Sequence, residues 1–402
     1  MKCFEPNISK SGIASVEELL KTGDIGFGNN VEVFENEFSR FSNKEYNIGL
    51  NSASSAAYCL FAYLYEKHGS CDVYTPSIGF TSPAWAAVKN GHKVYFIDVD
   101  ENLLTNFELY RDVRKWHLER QFNVDFNKSV FMPVLYGGIS NIEGLIKRVR
   151  DTNWGDIIVV DSAHCLQPTI DSDYTFFSFH PIKPLTMANG GILATDNKEA
   201  DEYIRRFRNF GRENKGDSYD IIHDGFNFYM NNLNATIGLS QLDSCLKNIK
   251  IRKSNFQYLK EGVSPDIGYF TKHDDKSSYY LATLILNKAS SPEKRKSLRE
   301  EGCACSFHYP PLHRTEFFES MYEKAFEKSS QKHQAHRRTR EEYLAWNKGS
   351  AKAQDIANMI YFGTFNVYLK NTDKYEHRII NLPIHQNLTK KDLDKLIKAI
   401  NR

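Results

Sequence analysis

The chain has 402 residues, enough for one large domain and a smaller one around a sizeable core. Its 41% hydrophobic and 25% charged residues are ordinary for a globular protein. A formal net charge of +2 offers no basic excess for nucleic acid or an anionic membrane surface. The opening Met1-Lys2-Cys3-Phe4-Glu5-Pro6 has neither the apolar segment nor the cleavage site of a secretory signal. The longest apolar stretch, Ala56 to Tyr65, is too short to span a bilayer. Seven scattered cysteines, an odd number, fit reduced thiols in a cytoplasm better than a disulfide framework.

Short apolar runs alternate with amphipathic stretches through the first two-thirds of the chain, which predicts an α/β domain with a mostly parallel sheet. In chain order the pattern predicts a helix at Val31–Phe41, a strand at Tyr46–Leu50, a helix at Ser54–Glu66 and a strand at Asp72–Thr75. A helix at Ser82–Asn90, strands at Lys93–Ile97 and Val130–Leu135, and a helix at Ile142–Asp151 follow. Strands at Ile157–Asp161, Thr175–Ser178 and Gly191–Thr195 close the series; the unbroken apolar run Ile157-Ile158-Val159-Val160 suits a central strand covered on both faces.

A long helical segment from roughly Leu233 to Leu259 leads into a second domain, so residues 1–245 are expected to form the large α/β unit and residues 246–402 a smaller α+β unit. The smaller unit holds a strand near Tyr279–Leu286, a helix near Pro292–Glu301 and a strand near Cys305–Tyr309. The polar stretch Lys324–Gln354 reads as an exposed insertion, and its His333 and His336 as a solvated face rather than metal ligands. Cys303 and Cys305 lack a second cysteine pair, so no metal site is expected. A closing helix begins at Thr389 as N-cap and buries Leu393, Leu396, Ile397 and Ile400.

Three local patterns carry chemistry. Asn51-Ser52-Ala53-Ser54-Ser55-Ala56-Ala57 places small residues between a strand and a helix, where free backbone N–H groups and hydroxyls form an anion seat or a simple N-cap. Val160-Asp161-Ser162-Ala163-His164 sets Asp161 at the carboxyl end of a buried parallel strand, where open α/β sheets bind ligands. A buried carboxylate there either caps the next turn or meets a cationic partner such as a protonated pyridine nitrogen. Ser178-Phe179-His180-Pro181-Ile182-Lys183-Pro184, before Gly190-Gly191, puts a lysine after a strand and near a hydroxyl, which suits a Schiff-base nucleophile. Singly each has a mundane explanation; their order in one α/β domain favours a cofactor site.

At these residues the chain resembles the DegT/DnrJ/EryC1/StrS aminotransferases, over nearly its whole length. The resemblance also runs through Phe27-Gly28-Asn29-Asn30-Val31, Pro76-Ser77-Ile78-Gly79-Phe80-Thr81, Pro133-Val134-Leu135-Tyr136-Gly137, Gly225-Phe226-Asn227-Phe228-Tyr229, His308-Tyr309-Pro310-Pro311-Leu312-His313 and Leu382-Pro383-Ile384-His385. It implies the aspartate-aminotransferase-like fold type I and pyridoxal 5'-phosphate, passing through pyridoxamine 5'-phosphate, as cofactor. By the same resemblance Lys183 is the Schiff-base lysine, Asp161 the partner of the pyridine nitrogen and His164 the contact to the ring hydroxyl. Phe80 stacks on the ring, while Ala53, Ser54 and Ser178 cradle the phosphate. Asn227 reaches that phosphate from a neighbouring subunit, so a homodimer with shared sites is implied. Gly28, His308 and His313 lie where the family approaches its substrate.

The implied reaction moves an amino group from L-glutamate to a keto group of a nucleotide-linked sugar, in cell-surface polysaccharide, O-antigen or related biosynthesis. Two enzymatic alternatives are a related sugar dehydratase and an aminotransferase acting on a small non-nucleotide ketone. Dehydratase relatives carry His at the lysine position, so Lys183 argues for amino transfer. A regulatory cofactor-binding protein finds no basic stripe or DNA-binding module to support it. Ser54 in place of the usual Thr keeps a hydroxyl, whereas Tyr229 in place of a common Arg bears on substrate identity.

Overall fold

The computed structural model of the chain describes residues 1–6, 8–120, 128–166, 171–321 and 369–402; the polar insertion, with His333 and His336, lies outside them. Seven strands build the main sheet: β1 (Tyr46–Leu50), β2 (Asp72–Pro76), β3 (Lys93–Ile97), β4 (Ser129–Phe131), β5 (Ile157–Asp161), β6 (Tyr174–Ser178) and β7 (Gly191–Thr195). They lie in the order β1-β7-β6-β5-β4-β2-β3. All run parallel except β7, which is antiparallel to β6 and to β1. The carboxyl ends of β1, β5 and β6 therefore share one edge of the sheet, and β7 starts there.

Each face of the sheet is covered by helices, and alternation along the strands divides the side chains between them. Phe176 and Leu193 point into a core shared with α3 (Ala53–His68), α4 (Thr81–Lys89), α5 (Phe107–Arg120), α6 (Glu143–Asp151) and α7 (Lys198–Phe207). Phe177, Ile192 and Ala194 point the other way, onto Phe34 and Phe38 of α2 (Asn29–Ser42) and onto α8 (Asn232–Leu239). Every residue of β5 is buried, as its unbroken apolar run requires.

A second, three-stranded antiparallel sheet joins β10 (Gly268–Phe270), β11 (Ala282–Leu286) and β12 (Ile379–Leu382). Its core takes in residues of α9 (Leu242–Gly262), α10 (Ser291–Glu300) and α12 (Lys390–Asn401). Thr389 caps α12 in a full capping box, with Thr389 Oγ1 accepting from Asp392 N–H and the Asp392 carboxylate accepting from Thr389 N–H. A short helix, α11 (Lys370–Glu376), precedes β12.

Some elements differ from the sequence reading. The long helix expected at Leu233–Leu259 is two, because Gln241 turns its side-chain amide onto the Thr186 and Ile237 carbonyls between α8 and α9. The strand expected at Val130–Leu135 ends at Phe131, since Pro133 has no N–H for a ladder; Val134 keeps one bridge to Asp161. Cys305–Tyr309 reduces to a single bridge, Ser306 to Asn381, because Pro310 and Pro311 end any further pairing. A helix α1 (Lys10–Thr22) and an exposed hairpin of β8 (Arg212–Lys215) with β9 (Ser218–Ile221) were not expected.

Candidate active site

The three sequence patterns meet at the shared strand edge. Gly191 pairs with Ser178 on one side and with Leu50 on the other, so the start of β7 lies between the end of β6 and the turn into α3. A Cβ at Gly191 would fall well inside contact distance of the Ala53 nitrogen and the Ser52 carbonyl. The glycine thus lets the N-terminus of α3 sit directly against the sheet beside Ser178. Ser52 caps α3 by accepting from Ser55 N–H at 3.1 Å, which leaves the Ala53 and Ser54 N–H groups ahead of the helix's own ladder. Those two N–H groups, the exposed Ser54 hydroxyl and the half-buried Ser178 hydroxyl make a candidate anion seat.

Lys183 is positioned by a turn. Its N–H donates to the His180 carbonyl at 2.9 Å, with Pro181 in the position that its fixed φ favours. The side chain runs inward and is only 8% exposed. Burial pulls its amine down from 10.5 to about 7, and the carboxylate of Asp161 works in the opposite direction. Asp161, at the end of β5, is pushed up from 3.8 to about 6 by burial; the Ala163 N–H, which donates to it at 2.9 Å, and the Lys183 charge only partly offset this. The Lys183 amine lies 4.4 Å from the centre of the Tyr280 ring.

His164 is fully buried and held neutral, first by burial and then by the positive charge at Lys183. Its Nδ1 accepts from Gly137 N–H at 3.3 Å, so its proton sits on Nε2, which faces the Tyr309 hydroxyl at 3.3 Å. The His164 ring also packs on Tyr280 at 4.4 Å. Phe80, at the start of α4, is 51% exposed and lies 5.5 Å from the Tyr309 ring. His308 joins the group: burial and the Lys183 charge lower it to about 4, and its Nδ1 meets the Ser306 hydroxyl at 3.0 Å.

Two expected residues are engaged within the chain. Both ring nitrogens of His313 are engaged within the chain, Nδ1 with Ser77 Oγ at 2.7 Å and Nε2 with Asp373 at 3.1 Å, leaving none for a substrate. Gly28 caps the start of α2 and packs its α-carbon on Asn232, where a side chain would collide. Asn227 is exposed, with its backbone carbonyl accepting from the Asn51 amide at 3.2 Å. Sequence reasoning missed Tyr280 and did not single out Tyr309. The signal for Tyr309 lay inside the His308–His313 motif, while Tyr280 sits in a Ser-Ser-Tyr-Tyr loop with no local mark of function.

The profile of the DegT/DnrJ/EryC1/StrS aminotransferase family matches residues 6–341. The chain belongs to that family. It is therefore a pyridoxal-phosphate-dependent aminotransferase. Among its relatives, the spore coat polysaccharide biosynthesis protein SpsC of Bacillus subtilis is 26% identical, over 98% of this chain and 95% of that protein. A UDP-4-amino-4,6-dideoxy-N-acetyl-beta-L-altrosamine transaminase of Campylobacter jejuni is 27% identical, over 78% of this chain and 85% of that one. In structure, the Helicobacter pylori aminotransferase PseC superposes with a TM-score of 0.79 at 20% identity, covering 99% of this chain and 97% of its own. The putative sugar aminotransferase Spr1654 of Streptococcus pneumoniae, in its PMP form, gives 0.77 at 22% identity, covering 100% and 96%. These likenesses establish the fold type I architecture for the enzyme.

The residues present fit the cofactor. Asp161 is a buried carboxylate short of compensation, as a partner to a cationic ring nitrogen must be before that ring arrives. The neutral, Nε2-protonated His164 offers a donor to a ring oxygen, and the seat at α3 and Ser178 suits a phosphate.

Proposed function

We propose that the enzyme moves an amino group from L-glutamate to the keto group of a nucleotide-linked sugar, for the assembly of a surface polysaccharide. The observation that carries the chemistry is the buried Lys183 amine, brought to about 7 beside a buried Asp161. The substrate class follows from relatives named for UDP-sugar transamination and for spore coat polysaccharide biosynthesis.

When bound, pyridoxal phosphate supplies a conjugated ring that accepts the electron pair released as the donor's α-proton leaves. Lys183, close to half neutral at pH 7, has a free lone pair on Nζ with which to attack, and to take and return a proton. Asp161 would hold the ring nitrogen in its protonated state. His164 would offer its Nε2–H, which faces the Tyr309 hydroxyl at 3.3 Å, to the ring oxygen. Ser54, Ser178 and the first N–H groups of α3 would hold the phosphate, while Phe80, which packs on Tyr309, would lie against the ring and help exclude water. His308, kept neutral chiefly by burial and further by the Lys183 charge, is placed to accept a hydrogen bond from the sugar.

We assign the active form as a homodimer in which Asn227 reaches the partner's phosphate seat. Phe27, Phe210 and Phe226 are exposed in the single chain, apolar side chains that a second copy would cover. The domain division falls near residue 245, with α9 crossing from the large unit to the small one. None of the seven cysteines is joined in a disulfide, which suits the cytoplasm.

The test is a pair of half-reactions. L-Glutamate should bleach the absorbance of the bound cofactor and release one equivalent of 2-oxoglutarate per site. The resulting enzyme should then be reoxidised by a keto-sugar nucleotide and not by the free keto sugar. Reoxidation by small ketones alone would overturn the nucleotide-sugar assignment.

A further inference from the structure

Arg252 is a buried cation without an acid. It is 3% exposed, its Nε has no hydrogen-bond partner, and no carboxylate stands within ion-pair distance among the described residues. Burial lowers it only to about 10, so it stays charged at neutral pH. An uncompensated guanidinium in the interior is costly, and a fold keeps one where an anion arrives to balance it.

Its surroundings point to where that anion sits. Asn255, three residues on and so on the same face of α9, donates to the Ile384 and His385 carbonyls at 3.4 and 3.1 Å. Arg252 therefore faces the same segment and lies close enough to His385 and Tyr280 to shift both. The Tyr280 hydroxyl is also buried without a partner. His385 spends its Nε2–H on the Lys2 carbonyl at 3.1 Å and presents only a lone pair at Nδ1, which has no partner either. The free donors are thus the Arg252 guanidinium and the Tyr280 hydroxyl. The other charges around His385 are committed: Glu5 turns to Lys2 at 3.6 Å, and Asp392 caps α12.

Tyr280 ties this cluster to the chemistry, since the same ring that presents its hydroxyl toward Arg252 carries the Lys183 amine at 4.4 Å. Its ring is stacked by Phe4 at 5.4 Å, and the N-terminal segment is pinned over the cluster through Lys2 to His385 and Glu5 to Gln386. We propose that Arg252 and the Tyr280 hydroxyl bind a carboxylate of the amino-acid donor, under a cover formed by Lys2–Glu5 and held by His385. This rests on the aminotransferase reading, and it places one end of the donor at Arg252 while the other reacts beside Lys183. A carboxylate is the ligand of choice because it takes the guanidinium in a charge-assisted pair and the phenol as a second donor.

Glutarate, a dicarboxylate with no amino group to transfer, is the probe. Titrated calorimetrically into the holoenzyme, it should bind saturably and compete with L-glutamate. Arg252→Gln should weaken it by about ten- to a hundredfold, the range for hydrogen bonds to charged groups. The KM for L-glutamate should rise by a similar factor, with a smaller change in kcat. Tyr280→Phe keeps the ring under Lys183 and removes a hydroxyl that has no hydrogen-bond partner among the described residues, so it should fold normally and weaken glutarate by roughly three- to tenfold. If Arg252→Gln does not fold, this second variant decides. Glutarate binding unchanged in the variants, or absent from a wild type that turns over glutamate, overturns the proposal. A wild type that binds glutarate through Arg252 but releases no 2-oxoglutarate from glutamate refutes the aminotransferase reading while leaving the anion subsite intact.

Discussion

Burying Lys183 has a thermodynamic signature separate from catalysis. In the unfolded chain the amine titrates near 10.5, whereas in the folded one it is lowered to about 7. Between those values the unfolded chain holds the proton and the folded one does not, so stability rises with pH across the window. At about 1.4 kcal/mol per pH unit the lysine costs the cofactor-free fold roughly 4 kcal/mol at pH 7, fading to nothing by pH 10.5. Lys183→Met removes the charge and keeps an unbranched chain of similar volume. Part of the gain is returned, because Asp161 loses the neighbouring cation that lowers it. A net stabilisation of about 2 to 3 kcal/mol at pH 7 is expected, shrinking as pH rises. Urea unfolding of the two cofactor-free proteins at pH 7 and pH 9.5 measures it. A variant no more stable at pH 7, or an advantage that grows with pH, would refute the reasoning.

The anion seat makes its own predictions. Ser54→Ala and Ser178→Ala should each weaken pyridoxal phosphate by about tenfold in fluorescence titrations and leave unphosphorylated pyridoxal unaffected. Gly191→Ala drives a methyl against the Ala53 nitrogen and the Ser52 carbonyl; it should cost about 1–3 kcal/mol in a thermal melt and lower phosphate affinity at least as much as the serine variants. For shared sites, mixing inactive Lys183→Ala with Asn227→Ala at limiting cofactor should raise activity above that of the two unmixed proteins, towards about a quarter of wild type, since half the dimers then carry one intact site. No recovery on mixing, with subunit exchange verified, would place Asn227 in its own subunit's site.

The ends of β1, β3, β5 and β7 coincide with the sequence reading; β5 and β7 were readable because every residue is buried, whereas the edge strand β3 alternates its exposed Lys93 and half-buried Tyr95 with buried residues. α1 was not, since Gly12 is its one buried residue while Ile13 and Leu20 are exposed, leaving its apolar side no core within the chain to betray it. At the site, Lys183, Asp161 and Ser178 are marked locally by a strand end or a proline turn. Tyr280 acts through contacts from Phe4, His164 and Lys183, three segments distant in sequence, so nothing in its own neighbourhood announces it. Arg252 reads as one more solvated base among Lys247, Lys250 and Lys253; only its burial and its lack of an acid set it apart. His313 is the converse, a residue whose motif position implied substrate contact while its ring serves to join Ser77 to Asp373.

The central claim is that Lys183 is the residue that bonds the cofactor. Reduction of the holoenzyme with borohydride fixes that bond, and peptide mapping by mass spectrometry locates it. A single phosphopyridoxyl label on Lys183, absent from enzyme first converted with L-glutamate, is the predicted result. A label on another lysine, or a Lys183 peptide recovered unmodified from fully loaded enzyme, would contradict the account.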